Sequence, residues 1–393
     1  MIKKVLALGL TREQFEGIKY AKSKELYIIG IDRNLPEDIK AYIDEYYRID
    51  LKEEQKIVEL VKNMGIAFII PSTIGHLLTT VGAVNDALNL PGINKEWANN
   101  LTNKEIYNNL LVKKKLFTPT KKIVFKPNLD NVIELVHKVG LPCILKPAKG
   151  SGSRGVITIS KENEIETAVN YSLDALFVNE KLIIEEFVSG EEFGVDFQII
   201  SGEIKVLAMR WKILTELPYR QEIGYISDNN TELILEVQKK LKVLFEEAPL
   251  KIISLGHVDM ILNEKNIFFI EMSLRPAGLG ITYNYLPSII GYNPIERLID
   301  YLKGDNLNKY SVKNSNFVGL FFWDLPMGKV SNIKRESLIN VEIYKLNLEI
   351  GSEINKVRTG NDIFERGFFI LEAQSKTALV KKREEVLSSI TVK

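Results

Sequence analysis

The sequence predicts a fold with an α/β part and α+β parts, on three observations. Residues 1–95 alternate short apolar runs with helical stretches, which is typical of an α/β unit with a parallel sheet. From residue 182 the pattern changes to strands joined by tight turns, which indicates antiparallel hairpins. From about residue 306 a smaller α+β segment follows, with a strand at Phe317–Phe322 and a closing helix near Lys376–Ser389. At 393 residues, the chain is long enough for two or three domains.

The first segment is interpreted as a scaffold. Its predicted strands are Lys4–Leu8, Leu26–Ile31 and Ala67–Ile70, and Glu53–Met64 is a helical stretch. The first turn contains Gly9 but no glycine triplet, although Asp32 ends the second strand where a ribose-binding acid would lie. A dinucleotide site is therefore the weaker interpretation of this segment.

The composition indicates a soluble protein whose charge features are local. Lysine and arginine number 52 against 51 aspartate and glutamate, so neither nucleic acid nor a membrane is an expected partner. The single cysteine, Cys143, excludes an internal disulfide, and its place in a strand predicts a small buried hydrophobic side chain. Only three histidines argue against a histidine-rich metal site. Val5–Leu10 is too short for a signal peptide and no run has transmembrane length, so we expect a cytoplasmic location.

The most informative motif is Leu141–Ile159, which reads as a strand, a loop of small and basic residues, and a second strand. Glycines in the loop at 149–155 allow backbone N–H groups to converge on an anion. Lys146, Lys149 and Arg154 add positive charge nearby. The segment lacks both GxxxxGK[ST] and a GxGxxG that opens a helix. For this loop alone, a flap over nucleotide phosphates and a mobile hairpin loop stay open as interpretations.

A helix is predicted to begin at a capping box formed by Thr102-Asn103-Lys104-Glu105. Lys104 would lie in the first turn, where the helix dipole disfavours a cation by about 0.3–1 kcal/mol. A bound phosphate nearby would offset this cost, and a solvated lysine is the alternative interpretation.

A pair of carboxylates is predicted in a hairpin of Ile252–Leu262 and Ile267–Leu274. With a turn at 263–266, Asp259 and Glu271 face one another within a residue of register. Opposed carboxylates repel unless a cation lies between them, and hard oxygen ligands suit Mg²⁺. Because side chains alternate along a strand, we expect Ser273 on the same face as Glu271.

Arg275 also falls on that face, where its planar fork would suit a carboxylate or phosphoryl group. The alternative is a surface hairpin whose acids pair with neighbouring lysines and arginines. The apolar residues around the two acids make that alternative the weaker one.

The acidic segment 185–192 ends a predicted strand at Leu182–Glu186. Taken alone it is best interpreted as a solvated edge. Beside an anion flap and a metal hairpin, its backbone at 186–188 could read the edge of a base, and a later carboxylate could bind ribose. Lys212 follows the next hairpin and is a further candidate for the phosphates, although a lone lysine is more often solvated.

Together these motifs resemble the ATP-grasp superfamily, which includes D-alanine–D-alanine ligase, biotin carboxylase, carbamoyl phosphate synthetase and bacterial L-amino-acid ligases. In chain order they are Lys104, ILKPAKGSGSRG, IIEEFVSGEE, VDMIL and IEMSLRP. The resemblance implies an ATP-grasp fold with a Rossmann-like pre-ATP-grasp domain at 1–95. A module at 96–305 would follow, with the flap in 96–182 and the metal hairpin in 183–305. A small C-terminal α+β domain would cover 306–393.

The resemblance also implies roles for individual residues. On ATP, the phosphates would be held by Lys104 and Lys146 and covered by Gly150, Ser151, Gly152, Ser153 and Gly155. Glu185 would bind the adenine amino group, Glu186 and Val188 would read the base through their backbones, and Glu192 would bind ribose. Mg²⁺ (or Mn²⁺) would be held by Asp259, Glu271 and Ser273, although the family usually has asparagine at the third position. Arg275, Lys146 and Lys212 would act in catalysis.

The expected function is that of an ADP-forming carboxylate–amine ligase that works through an acyl phosphate. Its substrates would be small molecules, an amino acid or similar carboxylate and an amine. One alternative is phosphorylation of bicarbonate or carbamate, which a single grasp module without an amidotransferase segment disfavours. Another is a non-catalytic ATP-binding protein with a degraded metal site, which the retained lysines and acids disfavour. A homodimer is common in the family, but no residue here indicates one.

Overall fold

The computed structural model describes residues 2–393 apart from 74, 76, 120–121, 127–128, 150–151, 177–179, 265, 311–315 and 340, and apart from the side chains of 129–131. The strands are β1 (Lys4–Leu8), β2 (Tyr27–Asp32), β3 (Glu45–Arg48), β4 (Ile66–Ile69), β5 (Lys122–Phe125), β6 (Cys143–Pro147), β7 (Ile157–Ile159), β8 (Leu182–Glu186), β9 (Glu191–Ile200), β10 (Glu203–Leu214), β11 (Glu222–Asp228), β12 (Ile253–Asn263), β13 (Asn266–Ser273), β14 (Phe317–Phe322), β15 (Gly328–Ile333), β16 (Ile343–Leu346), β17 (Glu353–Ile354), β18 (Gly367–Ala373) and β19 (Ile390–Val392). The α-helices are α1 (Phe15–Ser23), α2 (Glu37–Lys40), α3 (Glu54–Val61), α4 (Leu78–Leu88), α5 (Lys95–Thr102), α6 (Lys104–Lys113), α7 (Leu129–Val139), α8 (Ile165–Asp174), α9 (Thr231–Leu244), α10 (Leu286–Ile290), α11 (Pro294–Lys303), α12 (Gly360–Phe364) and α13 (Lys376–Leu387).

The N-terminal unit is a parallel sheet with the strand order β3-β2-β1-β4. Its central strands are almost entirely apolar because both faces are covered. Helices α1 and α11 pack on one face, and α3 and α4 pack on the other. This arrangement agrees with the α/β pattern predicted for the first segment.

A second sheet, antiparallel, has the order β5-β8-β6-β7. Side chains alternate across it, so Cys143 and Leu145 join the core under α7 and α8 while Ile144 and Lys146 line a cleft on the other face. Cys143 is fully buried, which confirms the prediction of a buried side chain, and burial raises its pKa to about 11.

The largest sheet has eight strands in the order β13-β12-β9-β10-β11-β14-β18-β16. Strand β9 lies inside it, and most of its residues are buried on both faces. Phe193 and Phe197 pack into the core beneath α9, while Asp196 is buried against Arg210 on the other face. Strand β11, which the sequence patterns did not indicate, links the hairpins to β14.

The eight-stranded sheet runs across residue 306, because β11 pairs with β14. A smaller sheet, β17-β15-β19, and helix α13 complete the C-terminal part. The mixed α/β and α+β class is therefore confirmed, while the domain boundaries at 95/96 and 305/306 stay predictions. Among the helices of the described residues, none is both long and apolar enough to span a bilayer.

The start of α6 differs from the predicted capping box. The N-cap is Asn103, whose Oδ1 accepts from the backbone N–H of Glu105 at 3.0 Å. Thr102 ends α5 instead, and its hydroxyl donates to the carbonyl of Ala98 at 2.8 Å. Two helices therefore meet here, and Lys104 occupies the first position of the second one.

A buried carboxylate joins the N-terminal unit to α11. Asp300 has no exposed side-chain surface, and Lys24 of the α1 end reaches its Oδ1 at 2.9 Å. Tyr20 and Tyr310 donate hydroxyl hydrogen bonds to the same carboxylate at 3.0 and 2.5 Å, and Lys309 lies 2.6 Å from Oδ2. Burial would raise the pKa of Asp300, but these four donors lower it to about 2.

We expect Asp300→Ala to lower the free energy of unfolding by about 3–5 kcal/mol, because it leaves buried cationic and hydroxyl donors without their acceptor. Asp305→Ala, which removes a more exposed partner of Lys24, should cost below about 1 kcal/mol. Since the pKa is lowered in the folded protein, the stabilisation by Asp300 should be complete above its ordinary pKa of 3.8 and be lost as the pH falls through about 2. Urea unfolding of the three proteins across this pH range is the measurement.

Candidate active site

A cleft that is open to solvent lies between the antiparallel four-stranded sheet β5-β8-β6-β7 and the eight-stranded sheet. Six carboxylates and four basic side chains line it. The sequence-predicted residues that it brings together are Lys104, Lys146, Ser153, Glu185, Glu186, Val188, Glu192, Lys212, Asp259 and Glu271. Gly152, Gly155, Ser273 and Arg275 lie outside its lining, and Gly150 and Ser151 lie outside the described residues.

The glycine-rich loop joins β6 to β7, which pair in antiparallel register. Gly152, Ser153 and Gly155 have left-handed backbones, with φ of 68°, 52° and 71°. A Cβ on Gly152 would meet no atom within 4 Å, whereas a Cβ on Gly155 would lie 2.6 Å from the Cβ of Ala175. Gly155 is therefore required by both backbone conformation and close packing against the end of α8.

Glu185 is buried at one wall of the cleft between two lysines. Lys146 Nζ donates to its Oε1, and Lys122 Nζ lies 3.1 Å from its Oε2. Burial alone would raise the pKa of Glu185, but the two ammonium groups hold it below the usual value. Lys122 was missed by the sequence analysis, because only the pairing of β5 with β8 places it opposite Glu185.

Lys212 is buried among three carboxylates. Its Nζ lies 2.9 Å from Glu222, 3.1 Å from Asp259 and 3.9 Å from Glu192. Burial disfavours its charge, but the three carboxylates outweigh this and raise the pKa of Lys212 well above its ordinary value. This lysine is therefore a fixed positive charge between the proposed ribose and metal ends of the cleft.

Glu192 also contacts Arg220, whose Nε and Nη2 both donate to Oε1 at 3.0 and 2.8 Å. The sequence did not indicate Arg220 as a site residue. It lies in the segment between β10 and β11 and lines the cleft. A ligand hydroxyl at Glu192 would have to share or displace this arginine. The ribose role of Glu192 stays a proposal.

The two acids of the hairpin are directly paired, since Asp259 lies opposite Glu271 in the register of β12 and β13. Burial would raise the pKa of Asp259, but Lys212 and Arg210 lower it below the usual value. The hydroxyl of Ser273 is buried and has no hydrogen-bond partner among the described residues. Two opposed carboxylates and an unsatisfied hydroxyl fit a hard divalent cation.

The same acids are already neutralised by lysines, as the weaker sequence interpretation supposed. Lys104 Nζ lies 3.3 Å from Glu271, and Lys212 lies 3.1 Å from Asp259. Within the described residues, no group of three or more histidine, cysteine, aspartate or glutamate side chains could hold a metal by itself.

Arg275 lies at a second cavity, lined by Ile69–Ser72 of the N-terminal unit and by Ser254 and Leu274. Its Nη1 donates to the carbonyl of Pro276 at 2.8 Å, and its Nε is buried without a partner among the described residues. Burial lowers the pKa of Arg275. The structure thus separates this arginine from the lining of the main cleft, and its predicted role in catalysis stays a proposal.

Comparison with known proteins identifies the fold of the chain. Residues 139–283 match the family model of the ATP-grasp domain. An L-amino acid ligase from Bacillus licheniformis superposes over 100% of this chain and 98% of its own, with a TM-score of 0.80 and 17% identity. The chain therefore has the ATP-grasp fold, which confirms the resemblance that the motifs indicated.

The curated relatives align with a smaller share of this chain. A formate-dependent phosphoribosylglycinamide formyltransferase from Methanococcus maripaludis is 26% identical over 201 residues, which are 47% of this chain and 48% of the relative. A D-alanine–D-alanine ligase from Flavobacterium johnsoniae is 28% identical over 158 residues, 37% of this chain and 46% of the relative. The chain thus spans about half the length of these relatives.

We expect Gly152→Ala to cost about 1–2 kcal/mol of stability, from its left-handed backbone alone. Gly155→Ala has the same backbone penalty and in addition crowds Ala175, which should cost about 1–3 kcal/mol more. Urea unfolding of the pair isolates the packing effect, and equal losses in the two variants would contradict it.

Proposed function

We propose that this protein is an ATP-dependent, ADP-forming carboxylate–amine ligase. The observation that carries the proposal is the cleft in which three lysines, Lys104, Lys146 and Lys212, converge with the opposed acids of the hairpin beside a glycine-rich loop. Catalysis of phosphoryl transfer needs positioning and charge stabilisation more than a nucleophilic side chain. Such a cleft supplies both.

In the proposed first step, a substrate carboxylate oxygen attacks the γ-phosphorus of ATP and the bond to the ADP oxygen breaks. In the second step, an amine nitrogen attacks the acyl carbon, a C–N bond forms, phosphate leaves and the amine loses a proton. Lys104 and Lys146 would hold the phosphates, with the loop at 150–155 closing over them to exclude water. Arg275 and Lys212 would steady the reacting groups.

The base and ribose would lie along the end of β8. Glu185 would bind the adenine amino group, with the backbones of Glu186 and Val188 at the base edge and Glu192 at the ribose. Mg²⁺ or Mn²⁺, held by Asp259, Glu271 and the hydroxyl of Ser273, would supply charge neutralisation for the transferred phosphoryl group. In support, Ser273 carries a buried hydroxyl that lacks a partner among the described residues.

The names of the relatives support this reaction class. One is a formate-dependent formyltransferase and another a D-alanine–D-alanine ligase, and formate and D-alanine are both small carboxylates. We therefore propose a small carboxylate, such as an amino acid, as the acyl donor and a small amine as the acceptor. Bicarbonate remains the alternative donor and belongs in the same substrate screen.

The test is phosphate release from ATP by purified protein with Mg²⁺, across a matrix of carboxylates, bicarbonate and amines, with ADP and AMP separated by chromatography. We expect ADP and phosphate in amounts that match the amide product. Glu271→Gln should reduce turnover at least about a hundredfold, because it removes a carboxylate ligand of the proposed metal, which would stabilise the charge on the transferred phosphoryl group. Glu264→Gln, an exposed change at the turn of the same hairpin, is the matched control and should keep wild-type turnover.

Formation of AMP would contradict the acyl-phosphate route. Phosphate release that depends on bicarbonate alone would replace the ligase with the bicarbonate alternative. Nucleotide binding without turnover for any substrate pair would favour a non-catalytic protein.

We expect Lys122→Met to weaken ADP binding about tenfold, because the buried Oε2 of Glu185 loses its nearest cation and the carboxylate no longer keeps its charge and position. Isothermal titration of ADP in the presence of Mg²⁺ measures the effect. Lys126→Met, exposed just beyond the same strand, is the control. Unchanged ADP affinity in a folded Lys122→Met protein would exclude this supporting role.

A further inference from the structure

Each of the two acids that are proposed to bind the metal contacts a lysine, and the two lysines come from different secondary-structure elements. Lys104 at the start of α6 lies 3.3 Å from Oε2 of Glu271, and Lys212 of β10 lies 3.1 Å from Oδ2 of Asp259. Both lysine side chains are almost buried, with 10% and 5% of their surface exposed. Their carboxylate partners are more exposed, at 43% for Glu271 and 29% for Asp259, so each pair joins a nearly buried ammonium to a carboxylate that solvent can reach in the cleft.

The four groups together carry no net charge. A divalent cation that entered alone would meet two ammonium groups at contact distance from its intended ligands. Mg²⁺ is usually held by one or two carboxylates together with substrate phosphates and waters, so the two acids alone would hold it weakly. The nearby ammonium groups and the lack of phosphate ligands therefore both weaken metal binding in the absence of nucleotide.

The two lysines differ in the carboxylate partners that remain to them when a cation binds Asp259 and Glu271. Lys212 has a second carboxylate, Glu222, at 2.9 Å, so it keeps a partner if Asp259 turns to a metal. Lys104 contacts Glu271 as its single carboxylate within the described part of the chain. Its ammonium would be left without a counter-charge unless an anion replaced Glu271.

Lys104 is also placed to meet that anion. Its backbone N–H lies 3.4 Å from the carbonyl of Ala148, which directly precedes the glycine-rich loop. Lys104 therefore contacts the residue before the loop through its backbone and Glu271 through its ammonium, and it lines the same cleft as Lys146 and Ser153. A triphosphate bound in that cleft would compete with Glu271 for this ammonium group.

We propose that Lys104 and Lys212 act as placeholder cations, which pair with Glu271 and Asp259 in the absence of nucleotide and weaken the binding of a divalent cation until a nucleotide binds. The phosphates then bind the ammonium of Lys104 in place of Glu271, and Lys212 keeps its contact with Glu222. Glu271 and Asp259 are then free to bind the metal. The inference rests on the proposed function, since it assigns an order of binding to the same site.

The test uses Mn²⁺ as the probe and follows free Mn²⁺ by electron paramagnetic resonance, with the full chain and without any turnover. Wild-type protein should bind Mn²⁺ weakly alone and at least about tenfold more tightly with a non-hydrolysable ATP analogue. Lys104→Met should bind Mn²⁺ alone about tenfold more tightly than wild type, because Glu271 is no longer neutralised. Lys104→Arg keeps the charge and should behave as wild type without nucleotide.

Lys104→Gln is a second neutral variant, which guards against misfolding of the methionine variant, and Lys113→Met on the exposed face of the same helix is the control. Equal Mn²⁺ affinity of nucleotide-free wild type and the two neutral variants would overturn the placeholder role while leaving the proposed function intact. Absence of any nucleotide-dependent Mn²⁺ binding by wild type would overturn the proposed function itself.

Discussion

Charge compensation among buried carboxylates and lysines is the constraint on which the cleft depends. A buried carboxylate without a partner is costly, and removing one member of a buried pair typically costs about 3–5 kcal/mol. Glu185 is accordingly held by Lys146 and Lys122, and Asp259 by Lys212. These pairs keep acids charged in a partly dehydrated wall, and they are the charges to which the proposed function assigns the metal and the nucleotide.

The pairs exist because two sheets bring remote segments together. Strand β5 sets Lys122 beside Glu185, 63 positions further on, through pairing with β8. Strand β10 carries Lys212 to Asp259 across β9, while α6 brings Lys104 to Glu271 from a different part of the chain. Each ion pair therefore joins elements that no local sequence pattern connects.

The N-terminal unit is joined to the same region by polar contacts. Glu13 accepts a hydrogen bond from the backbone N–H of Leu279 at 2.7 Å and another from Thr73 at 3.3 Å. Leu279 follows the segment that carries Arg275, whose cavity is itself lined by the N-terminal unit. Asp300 of α11 also contacts Lys24 and Tyr20 at the α1 end. The N-terminal unit therefore contacts both the segment that follows the hairpin and helix α11.

The register of the carboxylate hairpin was predictable from sequence, because a tight turn fixes which residues oppose each other across two strands. Asp259 and Glu271 are paired as that reasoning predicted. The fold class and the strand with Glu185 were predictable for a similar reason, since period-2 and helical patterns are local properties. The capping-box prediction was wrong in its first residue. Thr102 is the last residue of α5, so Asn103 is the N-cap of α6, which begins directly after it.

Sequence alone thus determined the mixed class, the glycine-rich loop and the opposed acids, all of which follow from short-range periodicity and turn chemistry. Tertiary structure decided which cation neutralises which acid, since Lys122, Arg220 and Lys104 reach their partners only through strand order and helix placement. It also placed Arg275 in the lining of a second cavity. The physical reason is that the strength of an ion pair depends on distance and burial in space, and neither quantity is encoded by position along the chain.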